Sequence, residues 1–172
     1  MSGTSDNSGS ESLIAVVEES VPVIRRMRQA DIEPVHQIEC DTYDFPWSIG
    51  IFRDCLLAGY MNLTMERDGE VVGYAVMSVA AGEAHLLNIC VSGDLRRRGY
   101  GRMFLEQLLD LAQGAEAQRI YLEVRPSNKA ALSLYDSMGF TVLGIREKYY
   151  RAHDGKEDAV VLVRHFPLSN DE

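Results

Sequence analysis

Apolar positions that recur every three or four residues predict two helices near the start of the chain. Asp31 is predicted to cap the first of them. Its apolar face is formed by Ile32, Val35 and Ile38. Ser48 is predicted to cap the second helix, with Trp47 before the cap and Phe52 after it at the spacing of a hydrophobic staple.

Further along, runs of β-branched and aromatic residues predict a series of strands. One further strand is predicted before the two helices. The predicted strands are 23–27, 60–66, 71–79, 84–91, 119–124, 140–146 and 159–165. Asp68-Gly69 and Asp154-Gly155 are strong signals for hairpin turns. Two more helices, 102–113 and 128–138, are each followed by glycine, as helix ends often are. This order predicts one α/β domain with a mixed sheet and helices on both of its faces.

Length and charge narrow the class of protein. The chain has 172 residues and a formal net charge of −9 at pH 7, which argues against direct nucleic-acid binding. Residues 1–20 hold four acids and no base, so a disordered acidic N-terminal tail is expected there. We expect a single domain over 21–168 and a short C-terminal tail over 169–172. The oligomeric state is not specified, and a monomer is favoured.

The three cysteines, Cys40, Cys55 and Cys90, lack the spacing of a zinc site. Reduced thiols in a cytoplasmic protein are therefore the expected state. No apolar run approaches the roughly 20 residues of a membrane span. No basic region precedes an apolar stretch at the N-terminus, so neither a membrane segment nor a signal peptide is expected.

A run of arginines and glycines from Arg96 to Arg102, R-R-R-G-Y-G-R, leaves a predicted strand and opens a predicted helix. A helix N-terminus offers unpaired N–H groups and a positive dipole end, and glycine lets a backbone approach a phosphate closely. The run therefore suits a bound anion, although a solvated basic turn would have the same residues. It is not a P-loop, because G-K-[ST] is absent, and it lacks the dinucleotide fingerprint G-x-G-x-x-G.

Two side chains further along are candidates for proton transfer. Glu123 lies inside a predicted strand, where a carboxylate serves either chemistry or a cross-strand ion pair. Tyr135 lies on the last predicted helix, where it is either a core aromatic or a proton donor. Cys90 with His85 as its base is set aside, because a separation of five positions on a strand predicts opposite faces.

The motif R-x-x-G-x-G at the start of a helix resembles the acetyl-CoA pyrophosphate loop of the GNAT N-acetyltransferases. L-L-N-I-C-V before it, and Y-L-E-V-R-P-S-N-K-A-A and L-Y-D-S-M-G-F after it, extend the resemblance over nearly the whole body. The chain looks closest to the RimI-type branch, through F-P-W-S, E-V-R-x-S-N and the ending R-E-K-Y-Y…D-G-K-E-D-A. The resemblance implies a mixed, mostly antiparallel sheet with a splayed central parallel pair and helices on both faces.

The resemblance also implies acetyl-CoA as cosubstrate, no metal, and a set of site residues. Glu123 would be the general base and Tyr135 the general acid toward the thiolate of CoA. Backbone contacts to the pantetheine arm would come from Ile89, Cys90 and Val91. The pyrophosphate would be held by Arg97, Arg98, Gly99, Tyr100, Gly101 and Arg102. Asn128 would touch the cosubstrate as well, or would only cap its helix.

Reference pKa values constrain how Glu123 could act. The pKa is about 8 for a chain-terminal ammonium and about 4.3 for a free glutamate, so direct proton transfer is uphill by about 5 kcal/mol. Three routes stay open: a pKa raised by burial, a relaying water, or protonation only after the nitrogen has attacked. For a lysine the cost is about 8 kcal/mol, which favours a terminal amine. A tyrosine protonating a thiol costs only about 2 kcal/mol.

The branch resemblance implies that the chain acetylates the N-terminal alanine of a small-subunit ribosomal protein. Acids in the segment 39–47 could attract a basic tail of such a substrate, or could simply be solvated. Two other functions stay open: acetyl transfer to lysine side chains or a small amine, and binding of acetyl-CoA without turnover. The presence of both Glu123 and Tyr135 argues against a module without turnover.

Overall fold

The computed structural model describes residues 19–168. In chain order the elements are β1 (Val23–Arg26), α1 (Ile32–Thr42), α2 (Ile49–Leu57), β2 (Met61–Arg67), β3 (Glu70–Ala80), β4 (Glu83–Val91), α3 (Tyr100–Gly114), β5 (Arg119–Val124), α4 (Lys129–Ser137), β6 (Thr141–Ala152) and β7 (Gly155–His165). The strands form one sheet in the order β1-β2-β3-β4-β5-β7-β6. Among the described strands only β4 and β5 pair in parallel.

Helices cover both faces of this sheet, as predicted. α3 and α4 pack on one face, where Phe104 and Leu108 are buried against Leu122. α1 and α2 pack on the other face, where Val35 and Phe52 are fully buried. Burial of apolar side chains on both sides makes the sheet the middle layer of the molecule.

Several local predictions are confirmed. Asp68 and Gly69 have φ angles of 52° and 81°, the left-handed pair that a two-residue hairpin turn requires. Ser48 caps α2 by accepting a hydrogen bond from the amide of Ile51. The rings of Trp47 and Phe52 lie 5.4 Å apart across that cap, which is the predicted staple.

Other local predictions are wrong in detail. α1 begins directly after Asp31, but the Asp31 side chain makes no capping hydrogen bond to this helix. It instead accepts two hydrogen bonds from the guanidinium of Arg25. α3 begins two residues earlier than predicted, directly after Gly99. β6 runs past the predicted end at Arg146 to Ala152, with an irregularity in its pairing after Arg146.

The predicted tails fall mostly outside the described residues, since residues 1–18 and 169–172 are not described. The extent of the single domain, 21–168, stays a prediction. In the described part of the chain no helix is both long and apolar enough to cross a membrane.

Candidate active site

The central feature of the site is a gap between β4 and β5. The two strands pair over four rungs only, from Glu83–Arg119 to Leu86–Leu122. Beyond Leu86, β4 stays paired with β3 but no longer with β5. Leu87 has no partner on β3, which makes it a β-bulge, and a bulge bends its strand. The backbone edge of β4 from Leu87 to Val91 therefore faces the gap, and it contains the predicted Ile89, Cys90 and Val91.

The arginine–glycine loop lies between the end of β4 and the start of α3. Gly99 precedes the helix with a φ of 81°, a left-handed conformation that glycine adopts without strain. A side-chain carbon at Gly99 would meet no atom within 4 Å, so the backbone angle, not crowding, favours glycine. Arg97 is also left-handed, with a φ of 64°.

Backbone amides at this loop are open. The first amide to bond within α3 is that of Met103, which donates to Gly99 O at 3.0 Å. The amides of Tyr100, Gly101 and Arg102 therefore have no acceptor inside the helix. Within residues 19–168, no backbone acceptor is recorded for the amides of Arg97 to Gly99 either. Open amides, a helix dipole and exposed arginines form a donor set that fits a diphosphate.

Two of the arginines have partners. Arg102 donates to Ser137 Oγ at 2.6 Å, which ties the start of α3 to α4. Arg98 donates to the carboxylate of Glu19 at 2.7 Å. Asn128 lies at the start of α4, where its Oδ1 accepts from the amide of Ala131 at 3.2 Å. It is thus a helix cap, and this bond leaves its amide nitrogen uncommitted.

Glu123 lies on β5 at the first position beyond the paired rungs, with its side chain only 8% exposed. Its Oε2 is 2.6 Å from His85 Nε2, and its Oε1 is 3.7 Å from an Arg146 guanidinium nitrogen. Burial raises the pKa of Glu123, but the hydrogen bond from His85 and the charges of His85 and Arg146 more than offset it. The pKa of Glu123 is therefore lowered, which argues against a base made stronger by burial.

His85 reaches Glu123 through the pairing of β4 with β5, because it pairs with Tyr121 and Glu123 lies two positions further along the same face. His85 pairs with Ser78 and Cys90 pairs with Tyr74, and cross-strand partners share a face of the sheet. Ser78 and Tyr74 are four positions apart, so His85 and Cys90 lie on the same face. The prediction of opposite faces was wrong, since simple alternation does not count the extra residue of a bulge.

Tyr135 lies on the opposite face from Glu123. It is 6% exposed within the core beneath α3 and α4, and its ring makes an edge contact with Phe140 at 5.5 Å. Burial raises the pKa of Tyr135 to about 12. The hydroxyl is therefore protonated throughout the neutral range and is available as a hydrogen-bond donor.

Two further tyrosines contribute half-buried hydroxyls, Tyr43 from the segment after α1 and Tyr150 from β6. Tyr43 donates to Ile89 O at 3.4 Å, which places its hydroxyl at the free edge of β4. Burial raises the pKa of Tyr150, and the charges of Glu123 and Tyr135 add to that shift. The guanidinium of Arg125 lies 4.4 Å from the centre of the Tyr150 ring.

Glu39 was predicted to be an entrance or solvated acid, but it is only 2% exposed. It accepts hydrogen bonds from the amide of Trp47 at 2.9 Å, from Asn88 Nδ2 at 3.0 Å, and from the hydroxyl of Tyr74. These bonds anchor the loop after α1 to β3 and β4. Helical spacing could have shown this, because Glu39 falls four residues after the buried Val35.

The loop after α1 also touches the turn of the β6–β7 hairpin. His153 Nε2 lies 2.9 Å from Asp44 Oδ2, and the rings of Phe45 and His153 are 5.3 Å apart. Both groups of the ion pair are exposed, so the contact is weak. It joins the two segments on the side of Glu123. In residues 19–168 no three metal-binding side chains converge.

Comparison with known proteins agrees with this arrangement. Residues 23–140 match the model of the acetyltransferase (GNAT) family. The chain is 37% identical over 146 residues to the [ribosomal protein bS18]-alanine N-acetyltransferase of Escherichia coli (strain K12), covering 85% of this chain and 97% of that protein. It is 40% identical over 139 residues to the Salmonella typhimurium (strain LT2) enzyme of the same name, covering 81% and 93%.

A solved structure has the same fold. The crystal structure of the ribosomal-protein-S18-alanine N-acetyltransferase from Escherichia coli superposes with a TM-score of 0.82 at 34% identity, covering 88% of this chain and 98% of that one. The splayed parallel pair, the open basic loop and these relatives together establish that the chain is an acyltransferase of the acetyltransferase (GNAT) family, in its RimI-type branch.

Proposed function

We propose that this chain acetylates the N-terminal alanine of a small-subunit ribosomal protein, with acetyl-CoA as donor. One observation carries the proposal: β4 and β5 part after Leu86 and Leu122, and the buried carboxylate of Glu123 lies at the first position beyond that split. The names of its relatives support the acceptor class. Direct transfer suits this layout, because donor and amine can approach from different faces and meet in the gap.

The donor side binds through backbone groups. Acetyl-CoA supplies an acetyl group activated as a thioester. The open amides at the start of α3, with Arg97 and Arg98, would hold its diphosphate. The gap-facing edge of Ile89 to Val91 would hold the pantetheine arm, since that edge has no partner on β5. The amide nitrogen of Asn128 is free to contribute a further donor.

The lowered pKa of Glu123 argues against one of the three routes considered for the base, a pKa raised by burial. A carboxylate more acidic than a free glutamate is a still poorer acceptor for an ammonium proton, so direct removal costs more than about 5 kcal/mol. Glu123 then acts through a relay, or takes the proton after the nitrogen has attacked and become more acidic. Either way it is ionised and ready at neutral pH.

The buried hydroxyl of Tyr135 contributes mainly as a hydrogen-bond donor. With a pKa of about 12, full proton transfer to a thiolate, whose acid has a pKa of about 8.5, is uphill by about 5 kcal/mol. The sequence alone suggested a smaller gap. A donor aimed at the sulfur stabilises the charge that develops there, and this does not require complete transfer.

The acceptor would enter between the loop after α1 and the β6–β7 hairpin. Asp41 and Asp44 are exposed there and would attract a basic peptide tail. Glu39 does not share this role, because it is buried and fully bonded. We place the reaction in the cytoplasm, which agrees with three free thiols among the described residues, and expect a monomer.

The test is an acceptor panel incubated with acetyl-CoA and read by mass spectrometry. We expect acetylation of basic peptides that begin with alanine, and none of the same peptides with a blocked N-terminus and an internal lysine. Acetylation of the lysine peptides alone would favour a lysine acetyltransferase instead. Binding of acetyl-CoA without any acetylated product would indicate a module without turnover.

A further inference from the structure

His85 is bonded to the buried carboxylate of Glu123, and the reaction described so far gives it no role. The side chain of His85 is 34% exposed, whereas that of Glu123 is 8% exposed. Their 2.6 Å contact therefore joins a buried carboxylate to a partly open imidazole. In hydrolases of unrelated fold, a buried carboxylate orients a proton-accepting histidine in this way.

The direction of this hydrogen bond fixes the tautomer of His85. Glu123 is ionised at neutral pH, because His85 and Arg146 more than offset the effect of burial on its pKa. An ionised carboxylate can only accept, so Nε2 carries the hydrogen. In the neutral ring Nδ1 is then the unprotonated nitrogen. No hydrogen bond to Nδ1 of His85 is found within residues 19–168.

His85 also lies where the gap begins. It pairs with Tyr121 on the rung before the last one between β4 and β5, and the strands separate after Leu86 and Leu122. The pairing of His85 with Ser78 puts it on the face of α1 and α2, which Tyr74 and Val76 also share. This is the face of Glu123 and of the two segments that border the acceptor side.

Resting on the proposed function, we propose that His85 Nδ1 takes the proton of the acceptor amine, and that Glu123 holds His85 in the tautomer that can do so. In this step an N–H bond of the ammonium breaks and an Nδ1–H bond forms. The carboxylate stabilises the resulting imidazolium, and the ring later returns the proton to water. The amine keeps its electron pair for attack on the thioester.

The chemistry of the two groups favours this division of roles. The ordinary pKa of an imidazole is about 1.5 units below that of a terminal ammonium, whereas that of a carboxylate is almost 4 units below, about 4.3 against 8. A proton acceptor works best when its pKa lies close to that of the donor. Glu123 thus contributes by orienting His85 and by its negative charge. It can therefore assist proton removal from the amine although its own pKa is not raised.

Several charged or titratable groups would set the pH range of such a pair. From the elements around His85 these are Glu83 on β4, Tyr121 on β5, Arg125 directly after β5, Arg146 and Tyr150 on β6, and Glu39 on α1. Of these groups, Arg146 forms an ion pair with Glu123, in addition to the contact that Glu123 makes with His85. Glu83 is engaged by Arg119.

The test compares the wild-type enzyme with His85→Gln on an alanine peptide. A glutamine can still donate to Glu123 but cannot accept a proton. We expect kcat/KM to fall about a thousandfold at pH 8, as much as for loss of its partner Glu123, with an unchanged Kd for acetyl-CoA. The ratio of wild-type to variant kcat/KM cancels the ionisation of the peptide. It should rise with pH, because only the unprotonated ring can accept the proton of the amine.

The matched control is His165→Gln, because His165 is exposed at the far end of β7, opposite Arg119. It should leave kcat/KM unchanged at every pH. A second readout is the nitrogen NMR spectrum of His85, which should show the Nε2–H tautomer above pH 8. The double variant of His85→Gln and Glu123→Gln should be no slower than Glu123→Gln alone, since the two groups act as one unit.

Three results would overturn the inference: a wild-type rate in His85→Gln, a rate ratio that does not change with pH, or an Nδ1–H tautomer. If Glu123→Gln is slow while His85→Gln is not, the inference fails and the proposed function stands. If the wild-type enzyme acetylates no alanine peptide, the proposed function fails and the inference fails with it.

Discussion

The regions around Glu39 and around Glu123 both place a buried carboxylate on the same face of the sheet, yet they differ in their partners. Glu39 accepts three hydrogen bonds from an amide, a carboxamide and a phenol. None of these donors changes charge near neutral pH. Glu123 instead is paired with an imidazole that can change charge and with a more distant guanidinium.

The difference separates a structural carboxylate from a reactive one. A carboxylate saturated by neutral donors from a loop and two strands holds those elements together, and its protonation would break all three bonds. A carboxylate with a titratable partner can stabilise the positive charge that the partner gains when it takes a proton from a ligand. Burial alone does not distinguish the two, since both groups are nearly inaccessible.

The largest expected effect is on turnover in Glu123→Gln. The substitution keeps the shape but removes the charge that supports His85, so we expect kcat to fall about 10³-fold with an unchanged Kd for acetyl-CoA. Steady-state kinetics and calorimetry measure the two quantities. Glu106→Gln, at an exposed position of α3, is the matched control and should change neither. A wild-type kcat in Glu123→Gln would mean that Glu123 serves only as a cross-strand ion pair.

Removal of the hydroxyl in Tyr135→Phe extends the comparison to the other face of the sheet. The ring keeps its packing against Phe140, so folding should be preserved while kcat falls about 10²-fold. Tyr60→Phe, at a partly exposed tyrosine, is the control. Equal losses of kcat in both variants would mean that the hydroxyl of Tyr135 has no specific role.

Asp31→Asn tests a second structural carboxylate, with an effect on stability and not on kcat. Asp31 is 5% exposed and its pKa is lowered, chiefly by the hydrogen bonds from Arg25. We expect a loss of about 2 to 3 kcal/mol in the free energy of unfolding at pH 7, because Arg25 loses a buried partner. Urea denaturation measures it.

The pH dependence of this loss follows from the direction of the pKa shift. The folded-state pKa of Asp31 lies below its unfolded value of about 3.9, so the stabilisation is complete above that value. It disappears as the pH falls through the folded-state pKa. The stability difference between wild type and Asp31→Asn should therefore be constant over about two pH units, from about pH 5 to 7. Below about pH 5 the difference should shrink.

The smallest effect is expected for Glu39→Gln. The glutamine retains one oxygen acceptor, but its NH₂ group faces donors that bonded to the second carboxylate oxygen. Those donors lose their acceptor, which should cost about 1 to 2 kcal/mol of stability. The kcat should stay within about twofold of wild type, since no proton passes through this group. Thermal denaturation and peptide kinetics are the measurements. A fall in kcat as large as that of Glu123→Gln would erase the distinction between the two regions.

Features that depend on neighbouring residues were predictable from the chain. The arginine–glycine run, the staple of Trp47 on Phe52 and the Asp68-Gly69 turn each lie within a few residues, so local geometry determines them. Glu123 and Tyr135 were selected by family resemblance together with unusual placement, and their roles remain proposals. Asn128 shows the cap that its position predicted.

Features that depend on one extra residue or on distant partners were not predictable. The bulge at Leu87 reverses the alternation of β4 and puts Cys90 on the face of His85. The parallel register of β4 and β5 brings His85 to Glu123, 38 positions away in the sequence. The lowered pKa of Glu123 follows from that pairing and from Arg146. A pattern read from the residues themselves contains neither the bulge nor these partners.

By itself the sequence determined the order of helices and strands, the open loop before α3 and the membership of the family, because these depend on local spacing and short motifs. Only the tertiary structure decided which carboxylate is saturated and which is coupled to an imidazole. The physical reason is that pKa values and tautomers are set by atoms a few ångströms away in space, and in this chain those atoms come from strands that fold together from distant parts of the sequence.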